Sequence, residues 1–200
     1  MIITVAAYKG GVAKSTTALH LAAYFQQKAD TLLIDGDLNH SSLDWSNRGS
    51  LPFKVASTID GVDLAALYEH IVIDTAPKPS ADELRSIYQG CDLLVIPTTP
   101  DAIALAATLK MVNDLQDFET NCAAKYQILL TIVPPNPSKA GEDVRNALKN
   151  AGLPTFKSGI RRLSVFQRAA LEGVPVNAVN DPYAQIAWRC YSEVGKEILS

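Results

Sequence analysis

The stretch AAYKGGVAKSTTALH, residues 6–20, decides the fold of this chain. A run of small apolar residues leads into a glycine pair, and a segment with helical spacing follows. The backbone N–H groups of such a turn, together with the positive end of the following helix, form a cradle for an anion. Lys14 adds a positive charge at the end of the turn, so the stretch predicts a site for the phosphates of a nucleotide.

The exact form of this stretch is informative. The common phosphate-binding pattern GxxxxGK(S/T) is not met, because Tyr8 and Ala13 stand at its two glycine positions. The deviant pattern KGGxxK(S/T) is met, and it carries a second lysine, Lys9. The Ser15 hydroxyl is expected to be a ligand of Mg²⁺. The predicted phosphate-binding residues are Lys9, Gly10, Gly11, Val12, Ala13, Lys14, Ser15 and Thr16.

Six short apolar runs along the chain predict strands. They are continuous rather than alternating with polar residues, which indicates burial on both faces, as in a parallel sheet. The runs are residues 2–8, 31–37, 53–57, 70–76, 92–99 and 127–133. Helical segments separate them, so we expect a doubly wound α/β fold with a mostly parallel sheet flanked by helices. Residues 1–200 are expected to form a single domain.

Two of the intervening segments carry apolar residues that we assign to the buried faces of helices. The first predicted face consists of Ala18, Leu21, Ala22 and Phe25, and the second of Ile103, Ala107, Leu109 and Val112.

Carboxylates follow two of the predicted strands. Asp35 and Asp37 flank a glycine in LLIDGD, and Asp74 ends the apolar run HIVID. In a parallel sheet the carboxyl ends of the strands lie at the edge where ligands bind. We therefore expect Asp35 and Asp74 to join Ser15 around Mg²⁺, with Asp37 at the rim of the same site.

The composition limits the class of protein. Of the 200 residues, 48% are hydrophobic, which suffices for a full core, and the net charge of −3 is close to neutral. The three cysteines, Cys91, Cys122 and Cys190, form no CxxC pair, so neither a zinc site nor a disulfide framework is expected. There is no sign of a signal peptide, and no apolar run approaches the ~20 residues of a membrane span, so a soluble, cytoplasmic protein is expected.

Three motifs together resemble the ParA/MinD family of deviant Walker A ATPases: KGGVAKST (9–16), IDGD (34–37) and VIDTAP (72–77). Residues 91–107 and 157–176 are similar to later segments of ParA partition proteins, so the resemblance covers nearly the whole chain. The chain looks most like a short ParA protein, because no helix-turn-helix precedes the first strand. The resemblance implies a P-loop NTPase fold that binds ATP with Mg²⁺.

The resemblance also implies roles for individual residues. Two subunits would sandwich ATP in a homodimer, with Lys14 serving its own subunit's phosphates and Lys9 crossing to the partner's. Asp37 would position the attacking water, so Lys9, Lys14 and Asp37 form the expected catalytic set. Hydrolysis would be slow and stimulated by a ParB- or ParG-like adaptor. Pro134, Asn136 and Pro175 are expected near the base. Ala13 departs from the family, many of whose members have glycine there, which should affect rate rather than binding.

ParA forms bind nonspecific DNA as ATP dimers and move plasmids or chromosomes, and relatives position organelles such as carboxysomes. Residues 139–168 hold seven basic residues against two acidic ones, which fits contact with phosphates along DNA. The predicted DNA-binding residues are Lys157, Arg161, Arg162 and Arg168, with Arg145, Lys149 and Arg189 as helpers. A cytoplasmic, nucleoid-associated protein is expected.

Other members of this fold suggest alternatives. A MinD-like protein would bind a membrane through a basic amphipathic tail, but the stripe Trp188, Tyr191, Val194 and Ile198 carries mixed charges and is expected to dock on the domain. A metabolic enzyme of the dethiobiotin synthetase type would need a substrate pocket and would not need Lys9. An iron–sulfur protein would need cysteines in glycine-rich loops, where Cys91 and Cys122 do not lie.

Overall fold

The computed structural model describes residues 1–37, 39–116 and 125–200, so Cys122 lies outside the described residues. The strands are β1 (Ile2–Val5), β2 (Thr31–Gly36), β3 (Lys54–Ser57), β4 (His70–Thr75), β5 (Leu93–Thr98) and β6 (Lys125–Leu130). The α-helices are α1 (Lys14–Gln26), α2 (Ser41–Arg48), α3 (Thr58–Leu64), α4 (Ala81–Gln89), α5 (Ala102–Gln116), α6 (Ala140–Asn150), α7 (Val165–Glu172) and α8 (Ala184–Ile198). Short 3-10 helices span Ala65–Leu67 and Val176–Ala178.

The six strands form one parallel sheet with the order β3-β2-β4-β1-β5-β6. In register, Ile3 of β1 lies between Val72 of β4 and Leu93 of β5, so β1 is an interior strand. All six predicted strands are present, and the predicted doubly wound α/β class is confirmed. Because every strand runs the same way, the segments that follow them meet at one edge of the sheet.

Helices cover both faces of the sheet. One core cluster joins α1, α7 and α8 to the sheet, with Phe25 and Tyr191 among its fully buried side chains. A second cluster joins α4, α5 and α6 to β5 and β6, with Leu84 and Met111 at its centre. The sheet is therefore buried on both sides, as the continuous apolar runs predicted.

The two predicted helical faces have different outcomes. The face on α1 is confirmed, since Ala18, Leu21, Ala22 and Phe25 are all buried. The face on α5 is wrong in part, because Ile103 is 73% exposed and Leu109 is 38% exposed. Residues two positions apart, such as 107 and 109, point to different sides of a helix and cannot share one face. The buried residues of α5 are Ala104, Thr108, Met111, Val112 and Leu115.

The apolar stripe of α8 docks on the rest of the protein, as predicted. Tyr191 and Val194 are fully buried, and Trp188 and Ile198 pack against the same core. None of the helices in the described part of the chain is long and apolar enough to cross a bilayer.

A segment after α6 runs beside the outer edge of β6. Thr155 pairs in parallel with Ile128, and Arg161 pairs with Val133 farther along. The backbone N–H of Ile160 donates to the Leu130 carbonyl at 2.8 Å. This edge segment, residues 155–162, carries three of the predicted DNA-binding side chains toward the carboxyl edge of the sheet.

Helices α2 and α7 end against each other. Gly173 ends α7 in the left-handed region with a φ of 69°, and a Cβ built there would lie 2.2 Å from the backbone nitrogen of Gly49. Across the same contact, Arg48 Nε donates to the Ala170 carbonyl at 2.8 Å. The ends of α2 and α7 can approach this closely only because glycines without side chains stand at positions 49 and 173.

We therefore expect Gly173→Ala to lower the free energy of unfolding by about 3 kcal/mol, since a left-handed alanine costs roughly 1–2 kcal/mol and the clash adds to it. Gly152→Ala is the matched control, because Gly152 has a φ of 71° but an added Cβ would meet nothing within 4 Å. The control should lose only about 1 kcal/mol in urea unfolding. Equal losses in the two variants would contradict the close approach of α2 and α7.

Candidate nucleotide-binding site

The phosphate loop joins β1 to α1 at the carboxyl edge of the sheet. Gly11 has a φ of 77° and Ala13, the N-cap residue of α1, has a φ of 62°. No side chain caps the helix, and its first turn contains no acidic residue. The first N–H groups of an α-helix have no partner within it, so this end can take an anion. A left-handed alanine costs roughly 1–2 kcal/mol, and Ala13 carries this cost in the phosphate loop.

Lys14 lies at the centre of a charged group. Its Nζ donates to Asp74 Oδ1 at 2.7 Å, to Asp37 Oδ2 at 3.4 Å and to the Thr75 carbonyl. The side chain of Lys14 is only 10% exposed. The structure thus brings together Lys14, Asp37 and Asp74, which sequence reasoning placed in one site. One ammonium faces two carboxylates, so the group with both carboxyls ionised carries one negative charge in excess, which favours a further cation nearby.

The two carboxyl groups have different environments. Burial raises the pKa of Asp74, which is fully buried, although Lys14, Ser15 and Ser42 oppose the shift. Burial also acts on Asp37, but hydrogen bonds from Asn39 and the charge of Lys14 outweigh it and lower the pKa of this carboxyl. Asp37 is therefore held as a carboxylate, the form that can accept a proton or orient a water.

Asp35 accepts hydrogen bonds from the backbone in this structure. Its Oδ2 accepts the backbone N–H groups of Ser42 and Leu43 at 2.9 Å each, and its Oδ1 accepts the N–H of Asp37 at 3.0 Å. Both oxygens thus serve the start of α2 and the turn after β2. The part of Asp35 in the expected metal set stays a prediction.

The remaining predicted metal ligands, Ser15 and Asp74, offer only two side chains for Mg²⁺. Among the described residues there is no group of three or more His, Cys, Asp or Glu side chains that could hold a metal ion. Mg²⁺ usually keeps several waters and binds through one or two protein oxygens together with phosphate oxygens. Ser15, at the start of α1, is near enough to Asp74 to help lower the pKa of its carboxyl, so these two oxygen donors suit an ion that arrives with its nucleotide.

Two hydroxyls that the sequence reasoning missed hold this site together. Ser42 Oγ donates to Asp74 Oδ2 at 3.0 Å, which ties α2 to the end of β4. Thr131 Oγ1 lies 3.0 Å from the Val12 carbonyl and 3.1 Å from the Thr98 carbonyl, which ties the phosphate loop to the residue after β6. In the sequence, Ser42 and Thr131 are visible only as hydroxyl residues near the ends of predicted elements. Such residues are too common for these two to be singled out.

Lys9 is directed away from the Lys14 group. Its Nζ donates to Asp101 Oδ1 at 3.1 Å, just before α5, and its side chain is 33% exposed. Hydrogen bonds from Thr99 and the Ala104 N–H, with smaller help from Lys9, lower the pKa of Asp101 to about 2. Lys9 therefore has an anionic partner within its own chain and no role at the Asp74 carboxylate.

The residues expected near the base lie on two segments anchored to the phosphate loop. Pro134 and Asn136 follow Thr131, whose hydroxyl binds the Val12 carbonyl. The buried Pro175 precedes Val176, whose N–H donates to His20 Nε2 at 3.0 Å. Base contact by these residues stays a prediction.

The predicted DNA-binding side chains fall into two groups. Lys157, Arg161 and Arg162 are exposed on the edge segment. Arg168 is engaged with Glu172 at 2.7 Å and Asp181 at 3.8 Å. Of the helpers, Lys149 and Arg189 are exposed, whereas Arg145 is half-buried and donates to the Phe156 carbonyl. The edge segment is thus the better candidate surface for a polyanion.

Comparisons with known proteins fit this geometry. The family profile described as the CobQ/CobB/MinD/ParA nucleotide binding domain matches residues 3–176. The maintenance of carboxysome distribution protein A of Gloeobacter kilaueensis is 31% identical over 204 residues, which cover 98% of this chain and 93% of the relative.

Solved structures share the fold. Apo McdA from Cyanothece has a TM-score of 0.75 at 16% identity, covering 100% of this chain and 99% of that one. The MinC:MinD cell division protein complex of Aquifex aeolicus has a TM-score of 0.76 at 15% identity, covering 99% of this chain and 95% of that one.

We expect Lys14→Ala to weaken ATP binding roughly a hundredfold, because a hydrogen bond to a charged group contributes about 1.5–3 kcal/mol. Isothermal titration with ATP and Mg²⁺ measures the loss. Lys54→Ala is the control, because Lys54 lies at the amino end of β3, away from the phosphate loop. This variant should bind ATP normally. Unchanged affinity in a folded Lys14→Ala protein would overturn the phosphate assignment.

Proposed function

Because the chain belongs to the CobQ/CobB/MinD/ParA nucleotide-binding domain family, we propose that it is a ParA-type positioning ATPase whose ATP-bound form is a sandwich homodimer. The observation that carries this proposal is that the two lysines of the loop have different partners. Lys14 is engaged with Asp74 and Asp37, whereas Lys9 turns outward to Asp101.

In a symmetric dimer, a lysine that points away from its own site can reach the nucleotide of the other subunit. Two nucleotides brought face to face repel each other, and a positive charge placed between them offsets that repulsion. Lys9 is partly exposed, and its ion pair with Asp101 is the kind that contributes about 0–1 kcal/mol. It can therefore exchange Asp101 for the phosphates of the other subunit at little cost.

Hydrolysis follows from positioning and charge. Mg²⁺ bound with ATP would neutralise charge on the phosphates, next to Ser15 and Asp74. Lys14 would move from the carboxylates to the phosphates, and Asp37, kept ionised, would orient the attacking water. The chain leaves β4 beside this site, through residues 74–77. This segment and Asp37 would change conformation when the terminal phosphate is bound or lost.

The cellular role rests on DNA and an adaptor. The ATP dimer would bind nonspecific DNA through the edge segment, which places the protein on the nucleoid in the cytoplasm. A ParB- or ParG-like adaptor on the cargo would stimulate hydrolysis and release the dimer. The names of the curated relatives support a carboxysome-type organelle as the cargo, with a plasmid or chromosome as the alternative.

The dimer and the chemistry can be separated with two variants. Lys9→Ala should bind ATP within about twofold of the wild type but stay monomeric, because it loses only the contact across the seam. Asp37→Ala should bind ATP and accumulate as a dimer, because turnover but not binding is lost. Light scattering with and without ATP measures both, and the exposed Asp63→Ala is the matched carboxylate control.

A Lys9→Ala protein that still dimerises with ATP would contradict the sandwich. ATP turnover that rises with a small carboxylic substrate, and not with DNA plus adaptor, would favour the metabolic-enzyme alternative instead.

The DNA surface is tested by reversing charge. Arg161→Glu combined with Arg162→Glu should abolish retention of the ATP dimer on random-sequence DNA at 100 mM salt and leave dimerisation intact, because phosphate contacts dominate nonspecific affinity. Lys54→Glu combined with Lys125→Glu makes the same charge change at the amino ends of β3 and β6, away from the carboxyl ends of the strands, and should retain DNA. Equal loss in both double variants would indicate a general charge effect rather than this surface.

A further inference from the structure

A buried histidine connects the phosphate loop to the start of the second 3-10 helix. His20 is fully buried on α1. Its Nδ1 lies 2.7 Å from the carbonyl of Thr16, the last residue of the phosphate-loop motif. Its Nε2 accepts the N–H of Val176 at 3.0 Å.

These two bonds fix the form of the ring. The Val176 N–H can only donate, so Nε2 is the acceptor and Nδ1 carries the proton that is donated to Thr16. Burial agrees with a neutral ring, since it lowers the pKa of His20 to about 4. A neutral imidazole has one donor and one acceptor on opposite sides of the ring. It therefore acts as a spacer that fixes the distance between the backbone at Thr16 and the backbone at Val176.

Aromatic rings hold the spacer in place. Tyr191 stacks on the imidazole with ring centroids 4.9 Å apart, and Phe166 and Trp45 meet it edge-on at 5.4 and 5.9 Å. Trp45 also donates through Nε1 to the Val174 carbonyl at 3.1 Å. The segment Val174–Val176 is thus held from α1 by His20 and from α2 by Trp45.

The same part of the chain has an unused acceptor. Asn177 Oδ1 is buried and has no hydrogen-bond partner among the described residues. A buried acceptor without a donor is costly, which favours a turn of the Asn177 side chain toward a ligand that can donate a hydrogen bond. A purine base with an exocyclic amino group carries such a donor.

We propose that His20 is a positioning residue that sets the distance between the phosphate loop and the Val174–Asn177 segment, so that one nucleotide can engage its phosphates at the first and its base at the second. This inference rests on the proposed nucleotide binding and deepens it. His20 does not touch the ligand and acts through the Val176 backbone.

The test compares ATP with inorganic tripolyphosphate, which has the same phosphates and no base. In His20→Phe the ring remains and both hydrogen bonds are lost. We expect its ATP affinity to fall about tenfold, the equivalent of ~1.4 kcal/mol, while its tripolyphosphate affinity stays within about twofold. His20→Gln can place an acceptor near the position of Nε2 and should recover most of the ATP preference, whereas the shorter His20→Asn should not.

A control separates positioning from general loosening of the core. Tyr191→Phe removes the hydroxyl that lies 3.1 Å from Thr17 Oγ1 in the same cluster, without touching Val176. It should lower stability in urea and leave the ratio of ATP to tripolyphosphate affinity unchanged. If Tyr191→Phe and His20→Phe change that ratio equally, or if His20→Phe leaves it unchanged, the positioning role is wrong. If the wild-type protein binds neither ligand, the proposed function itself fails.

Discussion

The ammonium of Lys14, placed between the carboxylates of Asp74 and Asp37, is the interaction on which the site depends. Asp74 is fully buried, and a buried carboxylate without a cation strongly destabilises a protein. The three residues come from three separate segments: the start of α1, the end of β4 and the turn after β2. One charge cluster therefore fixes the local structure and also provides the groups that a nucleotide needs. In the proposed ATP complex, the triphosphate would draw the ammonium away from these carboxylates, and the accompanying cation would replace the lost charge.

Side-chain hydrogen bonds to the backbone extend this centre outward. Asp35 holds the first turn of α2, Ser42 connects that turn to Asp74, and Thr131 binds the phosphate loop from the other side. His20 reaches from the loop to the Val176 segment. The Asp35 bond spans only seven residues, but the bonds of Ser42, Thr131 and His20 run between elements far apart in the sequence. These three bonds let the core position the loops at this edge.

The fold and the charged centre could be predicted from the sequence because they depend on local patterns. Continuous apolar runs indicated six strands, and KGGVAKST, IDGD and VIDTAP indicated where charges would meet. The roles of Asp35 and Asp101 could not be predicted, because they depend on which backbone N–H or lysine lies opposite each carboxylate. The buried face of α5 was misjudged because almost every residue in AIALAATLKMV is apolar or small, so that spacing alone did not decide which side faces the sheet.

The two edges of the sheet are protected differently. The edge segment covers β6, so its backbone groups are already paired. At the other edge, β3 is only four residues long and begins with the exposed Lys54. Short, charged or covered edges resist strand-to-strand pairing between molecules. For the DNA-coating role proposed above, this protection would leave self-association to the face that carries the nucleotide, and assembly would stay reversible.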